Sequence, residues 1–262
     1  MTMTNKFLDD NYILKPNETL NGLGYGDYAQ RLLNQTCSEA PDSFNKDAGI
    51  LFLRGSLRPS YSSTTSNNVP PGCTLELNDP SVVLKRTSPF SHVISQTDAV
   101  CLSPMYSFFS RGQRYGGEIL DNLEKIYNAA RKDMRESPLI FVNITSPEGE
   151  LYTIQDLRTK YWIETRDFTL SIPEKSLLAN QFDTPLIPGT EYQNTVIVGY
   201  FVVLKNLSKG RWRFDFGGYG TNDYVTHSMM DVEVRDPSSI NFPRDKSGRD
   251  IKGMPDIFDT QS

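Results

Sequence analysis

Few side chains in this 262-residue chain are of types that do chemistry, and their spacing narrows the options further. There are two histidines, His92 and His227, and three cysteines, Cys37, Cys73 and Cys101. No Gly-x-Ser-x-Gly elbow surrounds any serine. A Cys101–histidine nucleophile pair would have to form in space, since such partners are not adjacent in sequence. The plainer alternative is a buried strand cysteine. The cysteines show no C-x-x-C spacing and no zinc pattern, so they read as free thiols of a reducing compartment. Asp215, Asp223 and Asp231 could converge on a cation, but calcium needs clustered oxygens and none cluster in sequence. Gly217-Gly218-Tyr219-Gly220 lacks the Lys-Ser/Thr of a phosphate loop and reads as a hairpin loop. Arg211, Arg213 and Trp212 suggest a nucleic-acid patch. In a strand, however, Trp212 faces away from the arginines, where no base could stack between them. No metal, cofactor or catalytic constellation is expected, and the chain reads as a non-enzyme.

The elements that carry these residues are mostly strands. Thr195 to Leu204 is nearly continuous in β-branched and aromatic residues, which suggests a strand covered on both faces. After the turn residues Asn206 to Gly210, Trp212, Phe214 and Phe216 alternate with Arg211, Arg213 and Asp215, the pattern of a half-buried strand. His227 to Val234 continues it, with Met230, Val232 and Val234 on one side. Short loops between these three strands predict a β-meander, with residues 217–223 as its second loop. Ile50 to Leu53, Cys73 to Leu77, Val82 to Leu84, Phe90 to Ser95, Ala99 to Phe109, Leu139 to Ile144, Leu151 to Ile154, Tyr161 to Glu164 and Asp167 to Ile172 read as further strands. Pro104 implies an edge or a bulge within its strand.

One amphipathic helix is predicted over about 118–135, from the stripe Ile119, Leu120, Leu123, Ile126, Tyr127, Ala130 and Met134. Ser137-Pro138 ends it. A short helix from Tyr28 to about Gln35 follows a capping Asp27. The fold class is therefore mainly β: an antiparallel, jelly-roll-like β-sandwich over 25–235, with an N-terminal arm (1–24) and a C-terminal arm (236–262). Two long loops, Ser56 to Gly72 and Pro173 to Gly189, interrupt it.

Charge and hydropathy exclude some classes. The net charge is −5 and the 27 basic residues are scattered, which leaves no nucleic-acid footprint. No apolar run is long enough for a transmembrane helix. The first residues do not read as a secretory signal, so the cytoplasm or a virion is expected over classical secretion. The sequons at Asn17, Asn34, Asn143 and Asn206 would matter only in a secreted chain.

From Tyr25 to Val234 the chain resembles a family of uncharacterised, mostly secreted bacterial β-sandwich proteins. Ile50-Leu51-Phe52-Leu53-Arg54-Gly55 is similar to the family's W-F-L-x-G strand, and Phe168 to Pro173 to its F-x-x-x-x-P. Gly199-Tyr200-Phe201-Val202-Val203-Leu204-Lys205-Asn206-Leu207-Ser208-Lys209-Gly210 resembles G-Y-W-x-x-L-x-P-L-x-P-G. Trp212 stands where the family has a histidine, and the family's signal peptide and P-A-G-K strand have no clear counterpart. The resemblance implies a sandwich and no activity.

Two functions follow from these observations. One is a self-associating structural building block of a virion, shell or lattice. Its terminal arms would carry the association, with Ile240, Phe242, Ile251, Met254, Ile257 and Phe258 as anchors. The other is a carbohydrate- or ligand-binding module, with Tyr61, Tyr219, Asn222, Asp223 and Tyr224 as its loop platform.

Overall fold

The computed structural model describes residues 6–8, 11–37, 43–45, 48–53, 73–78, 81–87, 92–135, 137, 139–154, 156–176, 186–219 and 224–239. In chain order the elements are β1 (Lys6–Phe7), α1 (Tyr25–Cys37), β2 (Ser43–Asn45), β3 (Ile50–Leu53), β4 (Cys73–Asn78), β5 (Ser81–Thr87), β6 (His92–Ser95) and β7 (Ala99–Phe109). The hairpin β8 (Arg114–Tyr115) and β9 (Glu118–Ile119) leads into α2 (Leu123–Arg135), β10 (Leu139–Thr145), β11 (Leu151–Thr153) and α3 (Leu157–Lys160). The chain closes with β12 (Trp162–Glu164), β13 (Phe168–Ser171), β14 (Glu191–Leu204), β15 (Gly210–Tyr219) and β16 (Tyr224–Arg235). Among the described residues the protein is mainly β, in two large curled sheets beside the two-stranded β8–β9 hairpin. The larger has the order β1-β11-β10-β15-β16-β5-β4, with β6 also on β16. The smaller has the order β12-β14-β7-β3-β2, with β13 also on β14.

Both sheets are mixed, which corrects the purely antiparallel expectation. β1 on β11, β3 on β7, and both β5 and β6 on β16 are parallel pairings. Parallel neighbours need crossover connections rather than tight turns, and a run of hairpins read from local turn signals does not supply them.

The predicted meander is also corrected. β14 and β15 are not partners: β14 pairs with β7, β12 and β13 in the smaller sheet, while β15 pairs with β10 and β16 in the larger. The composition of the two strands gives the reason. Every residue from Val196 to Leu204 on β14 is buried, glycine included, so that strand needs cover on both faces. β15 buries Trp212, Phe214 and Phe216 and leaves Arg211 and Arg213 exposed, so it needs cover on one. The chain switches sheets at 205–209. Asn206 adopts a left-handed conformation there (φ 55°) and Trp212 Nε1 donates to Ser208 O at 2.8 Å. Only β15 and β16 form a hairpin of the meander. Gly217 to Tyr219, expected in its loop, belong to β15.

The cover on β14 comes from both sides. Consecutive β7 residues point to opposite faces. Tyr106 Oη donates to Thr36 Oγ1 on α1 at 3.3 Å, whereas Ser137 Oγ, just beyond α2, donates to Met105 Sδ at 2.8 Å. The two helices thus pack on opposite faces of the smaller sheet, and β10, β15 and β16 pack against β7 as well. Burying each large apolar side chain of this core stabilises the fold by about 2 kcal/mol. The bulge implied by Pro104 is present: β7 pairs Leu102 with Val202 and Met105 with Tyr200, with Phe201 alone opposite two residues. Ser103 Oγ donates to Tyr200 O across it at 2.5 Å.

Both helix boundaries shift. α2 begins at Leu123, not at 118. Gly116 and Gly117 take positive φ and turn the chain into the β8–β9 hairpin, after which Asn122 Oδ1 accepts from the Lys125 N–H as the cap. Ile119 is accordingly 48% exposed instead of lining the stripe. α1 is longer than expected, because Asp27 reaches back to the Gly24 N–H at 2.9 Å from inside the first turn.

The described part of the N-terminal arm lies over this chain's own sheets. Phe7 pairs with Thr153 in parallel. The Leu14 N–H donates to Val203 O at 2.9 Å, and the Lys205 N–H to Tyr12 O at 2.8 Å. Tyr25 Oη donates to Leu14 O at 2.6 Å and accepts from the Val203 N–H at 3.2 Å. Among the described residues no helix is long and apolar enough to cross a membrane.

Candidate functional site

Two polar clusters stand out on the described surface. The first lies where α2 crosses the edge strand β12. β12 pairs antiparallel with β14, so that Trp162 and Glu164 flank Ile163 and share the face opposite to it. Arg131 on α2 grips Glu164 with both nitrogens, Nε at 2.9 Å and Nη2 at 2.7 Å. Trp162 Nε1 donates to the same carboxylate at 3.0 Å. Tyr127 Oη donates to Thr165 O at 2.6 Å, and the Arg131 guanidinium lies 5.1 Å from the Tyr127 ring centroid. The Arg131 hydrogen bonds hold the Glu164 carboxyl below its ordinary range, against a smaller opposing effect of burial. Bidentate carboxylate recognition of this kind fixes geometry as well as charge. The cluster works as a clamp that seals the helix to the sheet.

The second cluster is the outer face of the larger sheet, built from the alternating residues of β10, β15 and β16. Register places Phe141, Gly217 and His227 in one row, Asn143, Asp215 and Met229 in the next, and Thr145, Arg213 and Asp231 in a third. The intervening residues Val142, Phe214, Phe216 and Met230 point into the core. Arg213 Nε donates to Asp231 Oδ1 at 2.8 Å, and Arg211 also bonds that carboxylate. Burial works to raise the Asp231 carboxyl, but the two arginines prevail and hold it low. His227 Nε2 donates to Asp215 Oδ1 at 2.5 Å, and the His227 ring meets Phe141 edge-on with centroids 5.7 Å apart.

These geometries answer the sequence expectations one by one. Trp212 is core, 2% exposed, and stacks on nothing outside. It lies beside Tyr12, with ring centroids 6.1 Å apart. Cys101 sits fully buried near the start of β7, paired with Phe52 and Val203, and its burial pushes the thiol well up. Burial pushes Cys37 up to about 12. Both are free thiols, and both are far from the thiolate form a nucleophile needs. Asp215 and Asp231 do not converge on a cation: each is engaged by a cationic or hydrogen-bonding neighbour on its own face, and among the described residues no three metal-ligating side chains gather.

Of the proposed loop platform, Tyr219 and Tyr224 are strand residues at the tip of the β15–β16 hairpin, registered against Leu139 and Val82 respectively. Tyr61, Asn222 and Asp223 lie outside the described residues. So do Ile240, Phe242, Ile251, Met254, Ile257 and Phe258 of the C-terminal arm. The Arg131–Glu164–Trp162 clamp was missed by the sequence reading. Its only trace in the sequence is a single arginine on a helix and a single glutamate in a short strand 33 residues later. The juxtaposition of Phe141 and Asn143 with Asp215 and His227 was not legible in the sequence because it arises from three strands placed side by side.

Comparison with known protein families, curated proteins and solved structures finds no match to this chain.

Proposed function

We propose that the protein is a non-catalytic structural subunit, a jelly-roll-like β-sandwich that self-associates into a larger assembly such as a virion, shell or lattice. The observation that carries this reading is the state of its sheet edges. Among the described residues the six-residue strand β4 is paired along its whole length on one side only, by β5. A row of open backbone N–H and C=O groups is a template for a further strand. At the other border of the same sheet the chain already uses strand addition, laying Lys6–Phe7 onto β11. The C-terminal arm, with its spaced apolar residues, supplies a segment of the right composition to add to a neighbouring copy. The resemblance to the bacterial β-sandwich family bears on the sandwich alone, and the compartment that goes with this reading is the cytoplasm or a virion.

Light scattering on the purified chain tests it, beside a chain lacking residues 237–262 and two variants, Thr74→Pro and Leu75→Pro. Successive N–H groups of a strand point to opposite sides, so one proline removes a donor facing β5 and the other a donor facing outward. A defined oligomer that dissociates on truncation, or with the outward-facing proline alone, is the expected result. A monomer in every case, across concentration and salt, overturns it.

The second reading, a ligand-binding module, is favoured by one specific observation. The Asn143 side-chain amide has no hydrogen-bond partner among the described residues, and Asp215 uses one carboxylate oxygen among them.

A further inference from the structure

The outer face of the larger sheet divides into a closed part and an open part. In the row of Thr145, Arg213 and Asp231 the charges satisfy one another, with two arginines on one carboxylate. In the two rows nearer the β15–β16 hairpin they do not. Asp215 receives one hydrogen bond, from His227 Nε2, and its Oδ2 has no partner among the described residues. The ring's other nitrogen, Nδ1, makes no hydrogen bond among the described residues and can pair with a hydroxyl, which both donates and accepts. Asn143, directly opposite Asp215 in register, has an amide donor and acceptor with no partner among the described residues. Gly217 offers no side chain between Phe141 and His227, and the two rings meet across it. The side chains of His227 and Asp215 are 27% and 33% exposed, so these groups are ordered by their neighbours yet reach solvent.

An aromatic ring beside a carboxylate, an amide and an imidazole nitrogen is the chemistry that recognises a ring with both C–H and hydroxyl groups. Directly opposed residues on paired strands hold their Cβ atoms about 5 Å apart. The Asn143 and Asp215 side chains can therefore reach neighbouring hydroxyls of one six-membered ring, while its apolar face rests on Phe141. The carboxylate disfavours an anion. A divalent cation would need more oxygen ligands than this single carboxylate and amide provide. We propose that Phe141, Asn143, Asp215 and His227 form a binding site for a neutral sugar ring, an inference that rests on the second reading of function above and names its site and ligand class.

The chain's two histidines make the test direct. In full-length protein labelled at histidine, His227 reports the site and the buried His92 on β6 serves as internal control. Glucose, galactose, mannose and N-acetylglucosamine are titrated in turn. The expected result is a saturable shift of the His227 signal with at least one sugar and none at His92. Affinity should fall at least tenfold in Asn143→Ala and in Asp215→Asn, whose circular dichroism melts establish that they remain folded. No saturable shift with any of the four overturns the proposal, as does a shift that Asn143→Ala leaves unchanged. The unlabelled chain and both variants are also applied to a printed glycan array. Binding that neither variant alters places the sugar site elsewhere: the module reading then stands and this site does not.

Discussion

Glu164 and Asp215 are carboxylates of nearly equal side-chain exposure, 28% and 33%, yet among the described residues one is saturated and the other is not. Glu164 accepts three hydrogen bonds, two from Arg131 and one from Trp162. Asp215 accepts one, from His227. The difference follows from what covers each strand. An edge strand crossed by a helix has long side chains arriving from above, so Arg131 and Trp162 reach the Glu164 carboxylate although it stays partly exposed. The outer face of β15 has no helix across it among the described residues, and water satisfies what the protein does not. Polar groups in the first setting hold the fold together, while those in the second remain available to something else.

The sharpest way to break the comparison is at Gly199, which pairs with Ile163 between Trp162 and Glu164. A Cβ there would lie 2.4 Å from Tyr106 Cβ and 2.6 Å from its Cα. Backbone cannot yield as a flexible side chain can, so Gly199→Ala should cost about 3 kcal/mol or abolish folding. Urea unfolding reads the effect. A variant as stable as the parent would mean that β7 and β14 do not approach so closely beneath the clamp.

A smaller loss is expected at the clamp itself. Glu164→Gln should cost about 1 kcal/mol at neutral pH, the upper end for a bidentate ion pair that stays partly exposed. The acid limb of the stability profile gives a second reading of the same contact. The Glu164 carboxyl is lowered in the folded state, so its contribution is present above the unfolded value of about 4.3. It is lost as the pH falls through the folded value. The parent should therefore lose stability below about pH 4 more steeply than Glu164→Gln, measured by urea midpoints across the acid range. Parallel profiles would show that the clamp carries no linkage.

On the open face the effects should be smallest. Arg211→Ala and Arg213→Ala each remove one of two cations sharing Asp231 at an exposed site, with an expected change of about 0.5 kcal/mol. Asn143→Ala should lie within about 0.5 kcal/mol of the parent. Thermal melts of the three variants check this. A loss at Asn143 as large as that at Glu164 would erase the distinction between the two regions.

How much of this was legible beforehand depends on the range of the signal. The alternation of Trp212, Phe214 and Phe216 placed the core face of β15 correctly, since period two is a property of the strand alone. The unbroken apolar run from Val196 to Leu204 announced a strand buried on both faces. The bulge at Pro104 followed from a missing N–H. Helix α2 was recognised by its stripe, but its start was set by the Gly116-Gly117 turn and the Asn122 cap, where the hairpin hydrogen bonds of Gly112 and Leu120 compete with the first helical turn.

Sheet membership was the main thing the sequence reading assigned wrongly. A five-residue connection between β14 and β15 looks the same in sequence whether it closes a hairpin or carries the chain from one sheet to the other. The contrast between a two-sided and a one-sided strand was written in the residues, but its consequence appears only once the layers are stacked. Local composition determined which residues are strands, which faces are apolar, and that Cys101 and Trp212 belong to the core, because burial preference and strand period act within a few residues. Tertiary structure alone decided that Arg131 meets Glu164 and that Asn143, Asp215 and His227 share one patch of surface. Those meetings depend on which strands lie side by side, and strand pairing is a long-range choice settled by the packing of the whole core.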